Sequence, residues 1–502
     1  MQKKLLFFIT LLALQPMLAI AATSETGADR YLASILEQPE KLHDFMASLP
    51  KGGDLHNHTS GSAFAEKMVE YAASDNLCVD RTTYTVTVNP LCLNNDLLNN
   101  AIKDADFYDN LVDAWSMQHF HTGKESGHDH FFNAFTKFSE ITHHHTGEIL
   151  AEIAERAAEQ NELYVETMLT IDGSASGRLG QKLGWDDDFA VMRNRLLANN
   201  FNQITADMTT YLDTAEAKLR EVLACGTANA KPGCTIQLRY QSQVPRERAP
   251  EVVFAQMLAG FEGASKDKRI VAVNMVMPED GAISMRDYKL HMRMIHFLHE
   301  LYPDVSITLH AGELNTDIAP PEGLRFHIND AVKVAGAARI GHGADLLNEN
   351  NYPQLLKTMA DRRVMVEINL SSNADILNME GKNHPLPVYL QYGVPVAIST
   401  DDEGVTRDTI TTEYVRAATA YRFSYSTLKN IVRNSLTYAF LPGTSLWQDV
   451  DYHQPVAACA QSLPGSQQPA AACQAFLASS EKATLQWQLE KRLTAFESQY
   501  AN

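Results

Sequence analysis

Eight short runs rich in Val, Ile, Leu and Thr recur along this chain, separated by longer stretches with helical spacing. They are Gly53–His58, Leu163–Thr170, Thr235–Val244, Ile270–Met277, Ser306–Glu313, Arg339–Leu346, Met365–Asn373 and Pro395–Asp402. Leu150–Gln160, Met285–Leu301 and Pro353–Arg363 are the clearest helical stretches between them. Strand then helix, repeated eight times, predicts an α/β chain folded as a parallel (β/α)8 (TIM) barrel. A doubly wound sheet shares the pattern. Polar residues at the C-terminal ends of runs one, five, six and eight favour the barrel, because only closure brings the first and last strands side by side.

The first connection is about a hundred residues long, far above the usual few. Placed over the C-terminal face, residues from about 60 to 160 would form a lid. After Asp402 the pattern is mostly helical, strongest over Val432–Leu441 and Ala483–Gln499. With no repeat, low-complexity tract or obvious linker, one elaborated domain over 22–502 is expected, its strands at about 53–402 and a helical region at 403–502.

The ends of four runs carry the chemistry. His56 and His58 sit two apart on a strand, so both face the barrel interior. His310 ends the fifth run and Asp401 the eighth. Three histidines and one carboxylate plus a water make a catalytic zinc shell, and the ion would bring the pKa of that water to about 7. Glu313 lies at a strand exit within reach of a substrate atom. His342 could hold or deprotonate the attacking water, and Asp402 could accept a substrate hydrogen bond. Each segment has a bland reading: His-x-His as chance, Asp-Asp as a helix cap, Gly-His-Gly as a turn. Four such segments at four strand ends point to metal-assisted hydrolysis.

The chain opens with Lys3, Lys4 and an apolar stretch from Leu5 to about Leu18, followed by Ala19-Ile20-Ala21. This reads as a signal peptide over residues 1–21, so a periplasmic or secreted protein is expected. Nothing later is apolar for the ~18 residues of a spanning helix. Six cysteines allow 15 pairings. Each near neighbour pair (Cys78 with Cys92, Cys225 with Cys234, Cys459 with Cys473) brackets a loop-like segment, so local disulfides are expected, each adding about 3 kcal/mol. The formal net charge of −19 repels phosphate backbones, which excludes nucleic acid as a partner and suits a small neutral substrate. The oligomeric state is left open.

Together the segments resemble the adenosine deaminase family of metal-dependent hydrolases. LPKGGDLHNH, HAGE, RIGHG and STDD match its motifs in order, as do EINLSSN at Glu367–Asn373 and RNSLTYAFL at Arg433–Leu441. The PKGG lead-in, export signal and disulfides are most similar to the secreted, growth-factor-related members. Only about thirty mature residues precede Lys51, so the N-terminal dimerisation domain of those proteins is not expected. The resemblance implies one Zn2+ on His56, His58, His310 and Asp401. It also implies Glu313 as proton donor to purine N1, His342 positioning hydroxide, Asp402 on N7, and Met277 and Gly312 against the substrate. The implied reaction converts adenosine or deoxyadenosine to inosine or deoxyinosine plus ammonia.

The chain departs from the family in two places. The cytosolic members follow His-x-His with Leu-Asp-Gly, whose Asp contacts ribose; here Thr59-Ser60-Gly61 stands there. Where the family places a glycine after strand four, this chain has Met277, which narrows the pocket. Beyond it, Glu279 and Asp280 read as exposed loop acids. Binuclear relatives need a lysine on strand four, and Ile270–Met277 has none. The cytidine deaminase type needs His-x-Glu with Pro-Cys-x-x-Cys, also absent. The alternatives are deamination of another aminopurine or modified nucleoside, and a nucleoside-binding or signalling protein on the same fold. The lid histidines His119, His121, His128, His130, His143, His144 and His145 are read as surface or local hydrogen bonding.

Overall fold

The structure, a computed structural model, describes residues 24–88, 92–123 and 125–501; the segment read as an export signal lies outside them. Eight parallel strands are joined in chain order: β1 Gly52–His58, β2 Glu162–Leu169, β3 Gln237–Pro245, β4 Ile270–Val276, β5 Ser306–Ala311, β6 Arg339–His342, β7 Met365–Ile368 and β8 Val396–Ile398. The segment just past β8 closes the ring against β1. Asp401 N–H donates to the His56 carbonyl at 2.8 Å, and His58 N–H donates to the Asp401 carbonyl at 3.1 Å. This is the (β/α)8 barrel that the alternation implied.

β1 is buried along its whole length, as a strand covered on both faces must be. Its paired glycines make that possible. A Cβ on Gly52 would lie 2.4 Å from the hydroxyl of Ser435, on the helix Tyr425–Thr437, and Gly53 N–H donates to that same hydroxyl at 2.9 Å. Lys51 ahead of them is buried and donates to the carbonyls of Gln160 and Leu49 at 2.8 and 3.1 Å.

Four strands end two or more residues before the sequence pattern suggested, and left-handed backbone accounts for two of them. Gly312, His342 and Asp401 have φ of +77°, +66° and +63°, and a left-handed residue cannot continue a strand. β5 and β6 therefore stop at Ala311 and His342, whereas β8 ends at Ile398, three residues ahead of Asp401. β7 stops at Ile368 because Leu370–Leu377 is helical, its first N–H groups received by the Glu413 carboxylate. In the tail the helices are Tyr425–Thr437 and Glu481–Glu497. Both begin earlier than the apolar spacing indicates, since Ser424 and Ser480 cap them by accepting from Thr427 N–H and Ala483 N–H.

The long β1–β2 connection carries the helices Ala65–Ser74, Ala105–Ala114, Gly127–Thr142 and Thr146–Glu159. Gly127–Thr142 lies over the C-terminal mouth of the barrel and lends Phe131, Phe132, Phe135 and Thr136 to the cavity there. Three disulfides join Cys78 to Cys92, Cys225 to Cys234 and Cys459 to Cys473. The last lies in a small apolar cluster with Leu446, Trp447, Tyr452 and Trp487. Among the described residues no helix is long and apolar enough to cross a membrane.

Candidate metal centre and active site

His56, His58, His310 and Asp401 converge at the C-terminal mouth, all buried, with one ligand atom from each within 4.8 Å of the others. The His58 and His310 Nε2 atoms are 3.1 Å apart, and Asp401 Oδ1 lies 3.2 Å from His58 Nε2 and 3.4 Å from His56 Nε2. Ligands about 2.0–2.2 Å from a tetrahedral ion stand roughly 3.3–3.5 Å apart, so the spacing is that of a shell.

The surrounding hydrogen bonds leave the right lone pairs free. His56 Nδ1–H donates to Glu367 Oε2 at 2.7 Å, and buried His56 Nε2 has no hydrogen-bond partner among the described residues. For His310 the tautomer follows from a relay that starts at a backbone carbonyl. Gln241 Nε2 donates to the Leu55 carbonyl (2.9 Å), so Gln241 Oε1 faces Asn274 Nδ2 (3.0 Å). Asn274 Oδ1 then accepts His310 Nδ1–H at 3.0 Å, and His310 Nε2 is left as a donor to a cation. Asp401 accepts from the Ser372 hydroxyl at 2.6 Å. Orientation of this kind by outer partners is usual around metal-binding histidines. The residues present fit a divalent ion such as zinc.

Three further groups face this one. Burial pushes the Glu313 carboxyl well above the usual carboxylate range, and the charges of Asp401 and Glu279 push it further. Burial takes His342 down to about 3 although Asp401 opposes it, so this imidazole is neutral. His342 Nε2 lies 3.7 Å from Glu313 Oε1 and 3.8 Å from Asp401 Oδ2. A second relay sets its tautomer: Leu386 N–H donates to His384 Nδ1, His384 Nε2–H to Asn373 Oδ1, and Asn373 Nδ2 to His342 Nδ1 at 3.0 Å. The hydrogen of neutral His342 is therefore on Nε2, aimed at the cavity. Burial raises Asp402 to about 7, with His58 opposing and Asp401 adding to the rise.

A cavity of about 340 Å³ opens here, lined by His58, His310, Glu313, His342, Asp401 and Asp402 at its floor. Ser60, Gln243, Met277 and Pro278 are on its walls, and the phenylalanines of the lid helix roof it. Gly312 is buried just behind Glu313. No lysine or arginine is among the described lining residues.

Several contributors escaped the sequence reading. Gly61 is required because a Cβ there would lie 1.8 Å from Asp402 Oδ1. EINLSSN stood out as a motif but not for its tasks: Glu367 holds His56, Ser372 holds Asp401, and Asn373 holds His342. Asn274 and His384 gave no signal, since one polar residue on a buried strand or loop has no pattern of its own. The reading of Glu279 as an exposed loop acid is corrected: it is 1% exposed and accepts three N–H groups. Asp280 is half-buried and bonds the lid through His128 Nε2 at 3.0 Å. Other lid histidines make local contacts, His130 with Glu125 and two backbone carbonyls, His145 with Asp75.

The sequence profile of the family described as adenosine deaminase matches residues 105–447, more than half of the chain. The chain belongs to that family. β1, with His56 and His58, precedes the matched segment. The adenosine deaminase of Enterococcus faecalis is 34% identical over 138 residues, 27% of this chain and 37% of the relative. That of Escherichia coli is 35% identical over 147 residues, 29% of this chain and 41% of the relative. The chain thus spans about two-fifths of the length of these curated relatives. Among solved structures, the N6-methyl-AMP deaminase of Arabidopsis thaliana superposes with a TM-score of 0.52 at 17% identity, covering 80% of this chain and 94% of that one. Arabidopsis ADAL complexed with IMP does so at 0.52 and 18%, covering 79% and 94%. At such identities the likeness is one of fold.

Proposed function

We propose that this family member is a zinc-dependent hydrolase that deaminates adenosine or deoxyadenosine to inosine or deoxyinosine, releasing ammonia. The observation that carries the reading is the placement of a raised carboxyl, Glu313, and a neutral imidazole, His342, beside four converged metal-ligand atoms. One Zn2+ on His56, His58, His310 and Asp401 would supply hydroxide at neutral pH.

The rest is the work of side chains. Glu313, protonated, gives its proton to ring nitrogen N1 and makes C6 electrophilic. His342, with its hydrogen on Nε2, donates to the attacking oxygen and holds it against C6 rather than taking its proton. Asp402, near 7, can donate to N7. Addition at C6 leaves a tetrahedral carbon bearing hydroxyl and amine. The hydroxyl proton departs on the amine as ammonia, and the proton lost in forming hydroxide returns to Glu313. Ser60, Thr136 and Gln243 offer the pocket's neutral polar groups to a ribose.

A nucleoside fits better than a nucleotide, because the floor is acidic and no lysine or arginine among the described residues lines the cavity to balance a phosphate. Ammonia release from adenosine, deoxyadenosine, adenine and AMP tests this. The nucleosides should exceed AMP by about a hundredfold or more in kcat/KM; preference for AMP or free adenine would overturn the reading. The Lys3-Lys4 and Ala-x-Ala leader, with three disulfides in the fold, supports export to the periplasm or beyond. The mass of the mature protein checks it, with cleavage expected after Ala21.

A further inference from the structure

A turn alone does not aim a carboxyl. The Gly312–Glu313 turn is clamped by a residue that does not line the substrate cavity. Glu279, on the loop after β4, accepts Glu313 N–H on Oε2 at 2.8 Å and Gly312 N–H on Oε1 at 3.1 Å. The same Oε1 accepts His327 Nδ1–H at 2.6 Å. His327 is itself fixed: its ring stacks on Tyr288 with centroids 3.7 Å apart, and the Tyr288 hydroxyl donates to its carbonyl at 2.7 Å. From the other side, Asp345 N–H donates to the Gly312 carbonyl at 3.0 Å, and Ile328 fills the place a Gly312 Cβ would need, 2.7 Å away. Both peptide units flanking Gly312 are thereby fixed.

We propose that Glu279, seated by His327, is the positioning residue that aims Glu313 at the substrate. The proposal rests on the reading of Glu313 as the proton donor. A carboxylate is what the place requires: it accepts all three N–H groups, whereas an amide would turn its own NH2 against one of them. Burial opposes the charge on Glu279, but the His327 hydrogen bond and nearby Arg246 hold its carboxyl below the usual range. Spending a buried charge on two backbone amides makes sense where the next side chain must be placed to within a fraction of an ångström, since an error of about 1 Å costs on the order of a hundredfold in rate.

The test uses full-length, zinc-loaded protein with Glu279→Gln, and with His327→Phe, which keeps the stack and loses the donor. Three quantities are measured: hydrogen exchange at the Gly312 and Glu313 amides, bound zinc per chain, and kcat and KM for adenosine. Expected for Glu279→Gln are unchanged zinc, exchange at least about tenfold faster at whichever of the two amides faces the glutamine NH2, kcat down about a hundredfold, and KM within about threefold. His327→Phe should fall between this variant and wild type. Wild-type exchange at both amides would overturn the proposal, and so would a raised KM at unchanged kcat. If wild type proves inactive on adenosine, the functional reading fails while the exchange data still decide the clamp. If Glu279→Gln does not fold, His327→Phe decides it.

Discussion

Replacing Glu367 by Gln separates the metal shell from its support without disturbing packing. The carboxylate is fully buried and accepts from His56 Nδ1 at 2.7 Å, Thr308 Oγ1 at 2.8 Å and Arg339 Nε at 2.6 Å. Glutamine can keep its oxygen on Arg339 and Thr308, which turns its NH2 against His56 Nδ1–H. His56 must then lose that bond or adopt the other tautomer, which puts a hydrogen on Nε2, where a metal needs a lone pair. Arg339 retains Glu166 at 2.5 Å, so the barrel interior keeps one ion pair and the fold should survive. A hydrogen bond to a charged partner contributes about 1.5–3 kcal/mol. At about 1.4 kcal/mol per decade this is roughly 10- to 150-fold in zinc affinity, in line with the 10–100-fold typical of outer partners. Competition against a chromophoric chelator reads it directly. Thr308→Val, which removes a bond that does not reach His56, should change affinity less than about threefold. A Glu367→Gln affinity within threefold of wild type, in a folded sample, would refute the reasoning.

Other consequences follow from single positions. Met277 lines the cavity with φ of +80°, a region that costs a non-glycine residue about 1–2 kcal/mol. Met277→Gly should therefore fold as well as wild type and raise relative kcat/KM for bulkier N6-substituted nucleosides by about tenfold; an unchanged substrate ratio would contradict the wall role. Gly61→Ala should displace Asp402 and lower kcat/KM by about 10–100-fold while leaving zinc content intact. Asp345 is raised to about 9 by burial, with repulsion from Glu279 and Glu349 added. Its protonated form is favoured in the fold, so its stabilising effect is complete below about pH 4 and is lost as pH rises toward 9. Asp345→Asn should accordingly overtake wild type in unfolding midpoint as pH goes from 5 to 9, and parallel curves would contradict this.

The barrel was legible in the sequence because eight runs of branched residues and their helical spacers are set by burial on both faces, a pattern that needs no tertiary information. The convergence of His56, His58, His310 and Asp401 was legible because residues at the C-terminal ends of barrel strands meet at one mouth. The strand ends themselves were not. Those of β5 and β6 depend on left-handed backbone at Gly312 and His342, and a single glycine or histidine does not by itself specify that conformation. The supporting shell was invisible for a related reason. Glu279, Asn274 and His384 act through partners 33, 36 and 11 residues away, and no local spacing encodes such pairs. Glu279 illustrates it best: Pro278-Glu279-Asp280 has the composition of a surface turn, and only the approach of His327 and Gly312 turns one of its acids inward.

We propose a metal-supported, Glu313-driven deamination in the lidded cavity. The most direct measurement follows the ultraviolet absorbance of adenosine on adding purified mature protein, with and without a zinc chelator, beside Glu313→Gln. The account predicts conversion to inosine that the chelator abolishes, that added zinc restores, and that the variant lacks while still binding zinc. Conversion at an undiminished rate after the metal is removed, or by the Glu313→Gln protein, would contradict it.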